Sequence, residues 1–188
     1  MRTSNASIED APLNPFHQRL TLAVGGASLM DGYILSIIGV ALVQMTTQLQ
    51  LSNFWQGMIA TSALLGIFVG GLFSGWLTDR FGRRKIVFVA PCVFLIASVL
   101  QFWTDSPLVI FLLRFGIGIA IAIDYSAATS LFVEFVPKKY RGSRLAGFTI
   151  LWCSGAAKAY IFGDIILHNS GEHGWRWALA SPIVIGVF

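Results

Sequence analysis

After a polar lead of about twenty residues, the chain alternates long apolar runs with short polar breaks. Apolar runs fall at roughly 21–46, 57–77, 86–103, 107–135 and 145–167, and a sixth opens near Trp175 and continues to Phe188. A run of about eighteen or more apolar residues crosses the ~30 Å hydrocarbon core of a bilayer as a helix, its backbone groups satisfied internally. The pattern predicts an all-α membrane protein with six spans. Residues 1–20 read as a polar tail, in which Pro12 and Pro15 discourage a continuous helix before Phe16. Residues 21–188 read as one transmembrane bundle. The stretch from Arg176 to Phe188 supplies only ~20 Å of helix at ~1.5 Å per residue. The sixth helix is therefore expected to be truncated, stopping inside the membrane.

Composition and charge orient this bundle. The chain is 55% hydrophobic and 12% charged, about half the charged share of an ordinary soluble domain. Its net charge of +4 is distributed by loop rather than by patch. Arg2 and Arg19 precede the first span. Arg80, Arg83, Arg84 and Lys85 follow the second, and Lys138, Lys139, Arg141 and Arg144 follow the fourth. The alternate breaks, near 48–56, 103–107 and 167–176, hold only Arg176. Lysine and arginine collect in cytoplasmic loops, so the amino terminus is placed in the cytoplasm, beneath a cytoplasmic or inner cell membrane. The bilayer is the implied partner, and the basic excess does not call for nucleic acid. Trp55, Trp103 and Trp175 fall at predicted outer ends of spans, where indole rings favour the headgroup layer. The first apolar run is too long for a secretory signal and reads as a retained span. Cys92 and Cys153 fall inside spans and read as small apolar fillers.

The break Gly75-Trp76-Leu77-Thr78-Asp79-Arg80-Phe81-Gly82-Arg83-Arg84-Lys85 is too polar to cross a bilayer and predicts a tight hairpin. Gly75 is expected to let the end of the second helix pack closely, and Gly82 to take the dihedrals of a sharp turn. Asp79 can accept from N–H groups at a helix start or pair with arginine. Arg83 and Arg84 offer forked donors to carboxylates or lipid phosphates. Upstream, Gly66-x-x-x-Gly70 and Gly71-x-x-x-Gly75 overlap on the second span, and Gly116, Gly118, Ala120 and Ala122 lie on the fourth, giving small-residue faces for close helix approach.

The spacing Gly-x-x-x-Asp-Arg-x-Gly-Arg-Arg-Lys closely resembles the loop signature of the major facilitator superfamily, between its second and third spans. Glu134, Pro137, Arg141 and Gly142 resemble the acid, proline and Arg-Gly that follow the fourth span in sugar-porter-like members. The resemblance covers essentially the whole chain after residue 20. It implies the amino-terminal six-helix half of that fold, two three-helix repeats in inverted orientation. It also implies a partner, a carboxyl-terminal six-helix half that this sequence lacks. Gly75, Asp79, Arg80, Gly82, Arg83, Arg84, Glu134 and Arg141 would form a cytoplasmic gate, with Glu134 paired to Arg83 or Arg141.

Asp31, Asp124 and Lys158 each fall near the middle of a span. A charge there costs several kcal/mol unless paired or hydrated, which marks it as functional. Two carboxylates and one ammonium cannot all cancel, and withdrawal from water gives a carboxylate an incentive to hold a proton. Asp31 or Asp124 is thus a candidate proton site; a static pair with Lys158 or Arg114 is the alternative. Asp31-Gly32-Tyr33 and Asp124-Tyr125 stand three spans apart, as an inverted repeat requires. Arg114 lies near the outer end of the fourth span. Sugar porters resemble this chain in having an arginine there that pairs with a first-span aspartate. Their first span, however, reads Gly-Tyr-Asp where this one reads Asp-Gly-Tyr, a displacement of two positions and roughly 200° of helix rotation. Gly116-Ile117-Gly118…Asp124-Tyr125 looks more like phosphate–proton and other metabolite–proton symporters, which use carboxylates in both spans. Lys158 matches none of these patterns. It is a candidate for attracting an anionic substrate or for neutralising Asp124.

His17, His168 and His173 are placed outside the spans, with no metal-ligand spacing. The glycine-rich segments lack the Gly-Lys-Ser/Thr ending of a phosphate-binding loop. Neither an enzyme nor an ATP-driven pump is expected, and no cofactor, a proton gradient being the driving force. The expected activity is proton-coupled symport of a small polar metabolite, a sugar or an organic anion, by alternating access. Asp31, Asp124, Tyr125, Arg114 and Lys158 are the candidates for coupling or substrate contact. The alternative is a half that does not transport unaided and needs a second six-helix partner.

Overall fold

The computed structural model describes residues 15–183, with backbone only at 16, 81, 83, 84, 87, 88, 131 and 172. These residues form six α-helices: α1 Pro15–Gln48, α2 Asn53–Phe81, α3 Arg83–Trp103, α4 Pro107–Phe135, α5 Lys138–Asn169 and α6 Gly174–Ala180. A single 3-10 turn, Gly171–His173, leads into α6. No strand occurs among the described residues. α1, α2, α4 and α5 are each long and apolar enough to cross a membrane, and α3 contributes the shorter apolar stretch Val89–Trp103. The expected tail before residue 15 and the expected stop of the sixth helix after 183 lie outside the described residues.

Local chemistry sets the ends of these helices. Ser52 caps α2 through its hydroxyl, which accepts from the Trp55 N–H at 3.5 Å. α2 stops at Gly82, whose φ of +85° no side-chain-bearing residue takes cheaply. The Gly82 N–H closes the last turn on the Thr78 carbonyl at 3.1 Å, and α3 restarts at Arg83. The predicted hairpin is therefore a one-residue turn. Pro107 opens α4 at a position where its missing N–H leaves nothing unpaired. α1 and α5 begin six or seven residues before the apolar runs predicted at 21 and 145. Helical hydrogen bonding continues past the apolar stretch until a breaker intervenes, here Pro15 and Pro137.

The helices pack as two tight pairs, α1 with α5 and α2 with α4. In both, glycine lets backbone meet backbone. A Cβ on Gly32 would lie 2.1 Å from the Trp152 carbonyl oxygen, and one on Gly155 would lie 2.0 Å from that of Leu29. Across the other pair, Cβ atoms on Gly66 and Gly118 would each lie 2.1 Å from a carbonyl oxygen, of Phe115 and Ala63 respectively. α3 packs on α4, α6 packs on α1, and α3 and α6 meet each other. Exchanging α1–α3 with α4–α6 maps each of these contacts onto another, which is the packing order of an inverted repeat.

Two expectations are corrected. Of the overlapping glycine motifs on α2, only Gly66 and Gly70 pack; Gly71 and Gly75 face open space. They sit ~100° further round the helix, away from α4. Trp175 is fully buried rather than an interfacial anchor, because it lies where α6 closes onto α1 beside Tyr33, Met45 and Ile59.

A Cβ at the close contacts has no room. Gly118→Ala and Gly155→Ala are expected to lower the stability of the detergent-solubilised protein by about 1–3 kcal/mol each, whereas Gly75→Ala leaves it unchanged or higher. Thermal unfolding monitored by circular dichroism checks this, and equal melting of all three variants would contradict the packing.

Candidate functional site

Asp31 of α1 and Asp124 of α4 are only 2% and 3% exposed. Both line one cavity of about 180 Å³, shared with Ser28, Tyr125, Thr129 and Thr149. The α1–α5 contact at Gly32 and the α2–α4 contact at Gly118 bring the helices that carry them into place. Among the described residues no basic side chain lines this cavity, and Asp31 Oδ1 is buried without a hydrogen-bond partner. Tyr125, half exposed, and Thr149 also form part of a larger open recess of about 590 Å³, with Leu35, Gly71, Ser126 and Trp152. Those two side chains stand between the buried acids and the concave face of the bundle.

Arg114 is buried but does not meet Asp31. Its guanidinium donates to the Ile34 backbone carbonyl at 3.3 Å, and its Nε has no partner. Aligned on Gly32-Tyr33, the sugar-porter pattern has its aspartate where Ile34 stands, three positions from Asp31 rather than the two expected, and there the arginine meets the main-chain carbonyl. The expected Arg114 pairing is thereby replaced. Lys158 is exposed. It follows Thr149 by nine residues, about two and a half turns and ~13 Å along α5. That puts it on the opposite side of the helix from the cavity, so it does not neutralise Asp124.

At the basic end, Gly82 makes the turn, while Asp79 and Arg80 are exposed. The Arg80 guanidinium lies 5.3 Å from the centre of the Trp76 ring. The side chains of Arg83 and Arg84 lie outside the described residues, and with them the Arg83–Glu134 pair. Arg141 does not pair with Glu134; its Nε donates to the Val136 carbonyl at 2.7 Å. The final carbonyls of α4 have no helical partner, and Arg141 is close at hand in the first turn of α5. His17, expected outside the first span, is buried in the first turn of α1, and its Nε2 lies 3.0 Å from the Phe135 carbonyl. Arg144 donates to the Thr21 hydroxyl. These ties join α1, α4 and α5, and backbone acceptors leave no sequence signal by which to find them.

The opposite end is also tied by polar bonds. The Trp175 indole N–H donates to Gln48 Oε1 at 2.6 Å, and its backbone N–H donates to Gln44 Oε1 at 2.8 Å. The Gln44 amide donates in turn to the Gly171 carbonyl at 2.6 Å. Arg176 donates to the Phe102 carbonyl at 2.9 Å and forms an ion pair with Asp105. Cys92 and Cys153 are exposed and unbridged.

A six-helix half with inverted repeats, a glycine turn at its basic hairpin and paired intramembrane acids defines a class of membrane protein. The family model "Sugar (and other) transporter" matches residues 20–188, and the chain belongs to that family. It is 42% identical over 181 residues to the inner membrane metabolite transport protein YgcS of Escherichia coli strain K12, covering 96% of this chain and 40% of that one. It is 32% identical over 164 residues to the cis,cis-muconate transport protein of Acinetobacter baylyi, covering 86% of this chain and 39% of that one. The fold is that of the amino-terminal half of the major facilitator proton:xylose symporter XylE. The TM-score is 0.84 at 22% identity, over 92% of this chain and 43% of that one. The chain thus spans about two fifths of the length of the curated relatives it matches, and it is an integral membrane protein.

Arg114→Met tests the charge arrangement. Since no carboxylate is orphaned by its loss, stability in detergent is expected to stay within about 1 kcal/mol or to rise. A loss of about 3–5 kcal/mol, the usual cost of breaking a buried ion pair, would show that Arg114 has an acidic partner.

Proposed function

We propose that the chain forms the amino-terminal half of a proton-coupled symporter for a small polar metabolite, a sugar or an organic anion, working by alternating access. The observation that carries this reading is the single cavity holding Asp31 and Asp124, walled from the open recess by Tyr125 and Thr149. Loading a proton there removes a net charge from a water-poor site and lowers the cost of closing it. Substrate bound in the adjoining recess, against Tyr125, Ser126 and Trp152, favours the same closure. Each ligand thereby assists the other, which is the thermodynamic content of symport. Relatives described as metabolite and muconate carriers and as an arabinose-proton symporter support the substrate class. No cofactor is required, since the proton gradient supplies the work.

The basic hairpin and the start of α5 are assigned to the cytoplasmic face of the cell membrane, with the amino terminus, by their excess of lysine and arginine. The Gly75–Lys85 segment, with Glu134 and Arg141, would act there as the gate. The recess is open on one side, and we assign its closure to six further helices, in the same polypeptide or in a separate one. On this reading the half does not transport alone.

The test is uptake in cells producing this chain, alone and together with the carboxyl-terminal six-helix half of the 42% identical relative. The panel includes arabinose, xylose and cis,cis-muconate. Uphill uptake with proton entry is expected only with both halves present. Asp31→Asn or Asp124→Asn should cut accumulation about 5- to 150-fold while sparing downhill exchange. Normal uphill uptake in both variants would remove the proton role, and uptake by the chain alone would remove the need for a second half.

A further inference from the structure

The arms of the Gly82 turn diverge. α2 and α3 each pack on α4 far more closely than on each other. Between them lies a groove of about 410 Å³, walled by Leu77 of α2, Val89 and Val93 of α3, and Ile119 and Ile123 of α4. It runs along a different face of α4 from the Tyr125–Ser126 recess, and Gly116 in its floor faces open space. Lys85, at its basic end, is the only charged residue in the lining among the described residues. That lysine is exposed, and no described carboxylate forms an ion pair with it. Trp76, exposed on the last turns of α2 with Arg80 over its ring, is of the residue type that settles at headgroup depth. The groove is therefore an apolar trough that ends in an exposed ammonium, beside a tryptophan of the kind that settles among lipid headgroups.

We propose that this groove is a binding site for one anionic phospholipid. An acyl chain lies between α2 and α3, over Val89, Val93 and Gly116, and the phosphate rests on Lys85 Nζ. Charge selects the headgroup. Among the described residues the lining offers a cation to a phosphate but no carboxylate to the amine of a zwitterionic lipid, and residues 83–85 are all basic. The lipid fills the space that the short turn leaves open, and so supports the splayed hairpin that the gate assignment uses. The proposal rests on the membrane location alone and stands whether or not the chain transports.

Native mass spectrometry of the full 188-residue chain, released from micelles doped with phosphatidylglycerol or phosphatidylcholine, tests it. One phosphatidylglycerol is expected to be retained, with a preference of about fivefold over phosphatidylcholine, the worth of one lysine near an anionic surface. Lys85→Gln should bring the preference close to parity while apolar retention of either lipid persists. Gly116→Phe should lose both lipids, and Lys139→Gln at the other basic segment should change nothing. An undiminished preference in Lys85→Gln, or an equal loss in Lys139→Gln, would overturn the assignment. So would glycerol phosphate competing as well as the intact lipid, or a lipid-free dimer that Gly116→Phe abolishes.

Discussion

The bundle depends on backbone meeting backbone at four glycines. Lipid tails are as apolar as leucine, so no hydrophobic force gathers helices within a membrane, and close van der Waals approach must do it instead. Gly32 and Gly155 supply that approach for α1 and α5, and Gly66 and Gly118 for α2 and α4, each at a distance where a methyl group would collide with a carbonyl oxygen. Contacts this short also allow Cα–H groups to face carbonyls, a small further gain. With these pairs set, α1 and α4 carry Asp31 and Asp124 to one cavity. The same contacts thus organise the fold and the chemistry.

The charges inside the membrane are sorted by this packing. Among the described residues, Asp31 and Asp124 share a cavity without a cation, while Arg114 is held elsewhere, on the Ile34 carbonyl. That separation leaves two acids together, the arrangement on which the proposed proton site rests.

Much of this was legible in the chain. Span existence and the Gly82 turn follow from local hydropathy and local dihedral demands, so a sequence window contains what decides them. Which side of a helix finds a partner is not local. Gly66 and Gly70 could not be told from Gly71 and Gly75 by composition, since only the position of α4 separates them. Lys158 was expected near the middle of its span, and its direction around α5 was hidden for the same reason. Trp175 carries the same indole whether it anchors at an interface or fills a core, and the partners of His17, Arg114 and Arg141 are main-chain carbonyls that every residue possesses. The acids were visible because charge at that depth is costly anywhere.

Polar ties hold one end of α3. At its Trp103 end, Arg176 holds the Phe102 carbonyl and the Asp105 carboxylate, and Trp175 is bonded to Gln44 and Gln48. At the other end, α3 is joined to α2 by one glycine with a groove alongside. Mechanically this makes α3 a lever, held at its Trp103 end and seated along its length on α4. α3 is 21 residues long, a lever of about 30 Å, so a tilt of ~5° at that end displaces the Gly82 tip by about 2–3 Å. A small tilt at the Arg176 contact is thereby magnified at the basic hairpin, the length of the helix away.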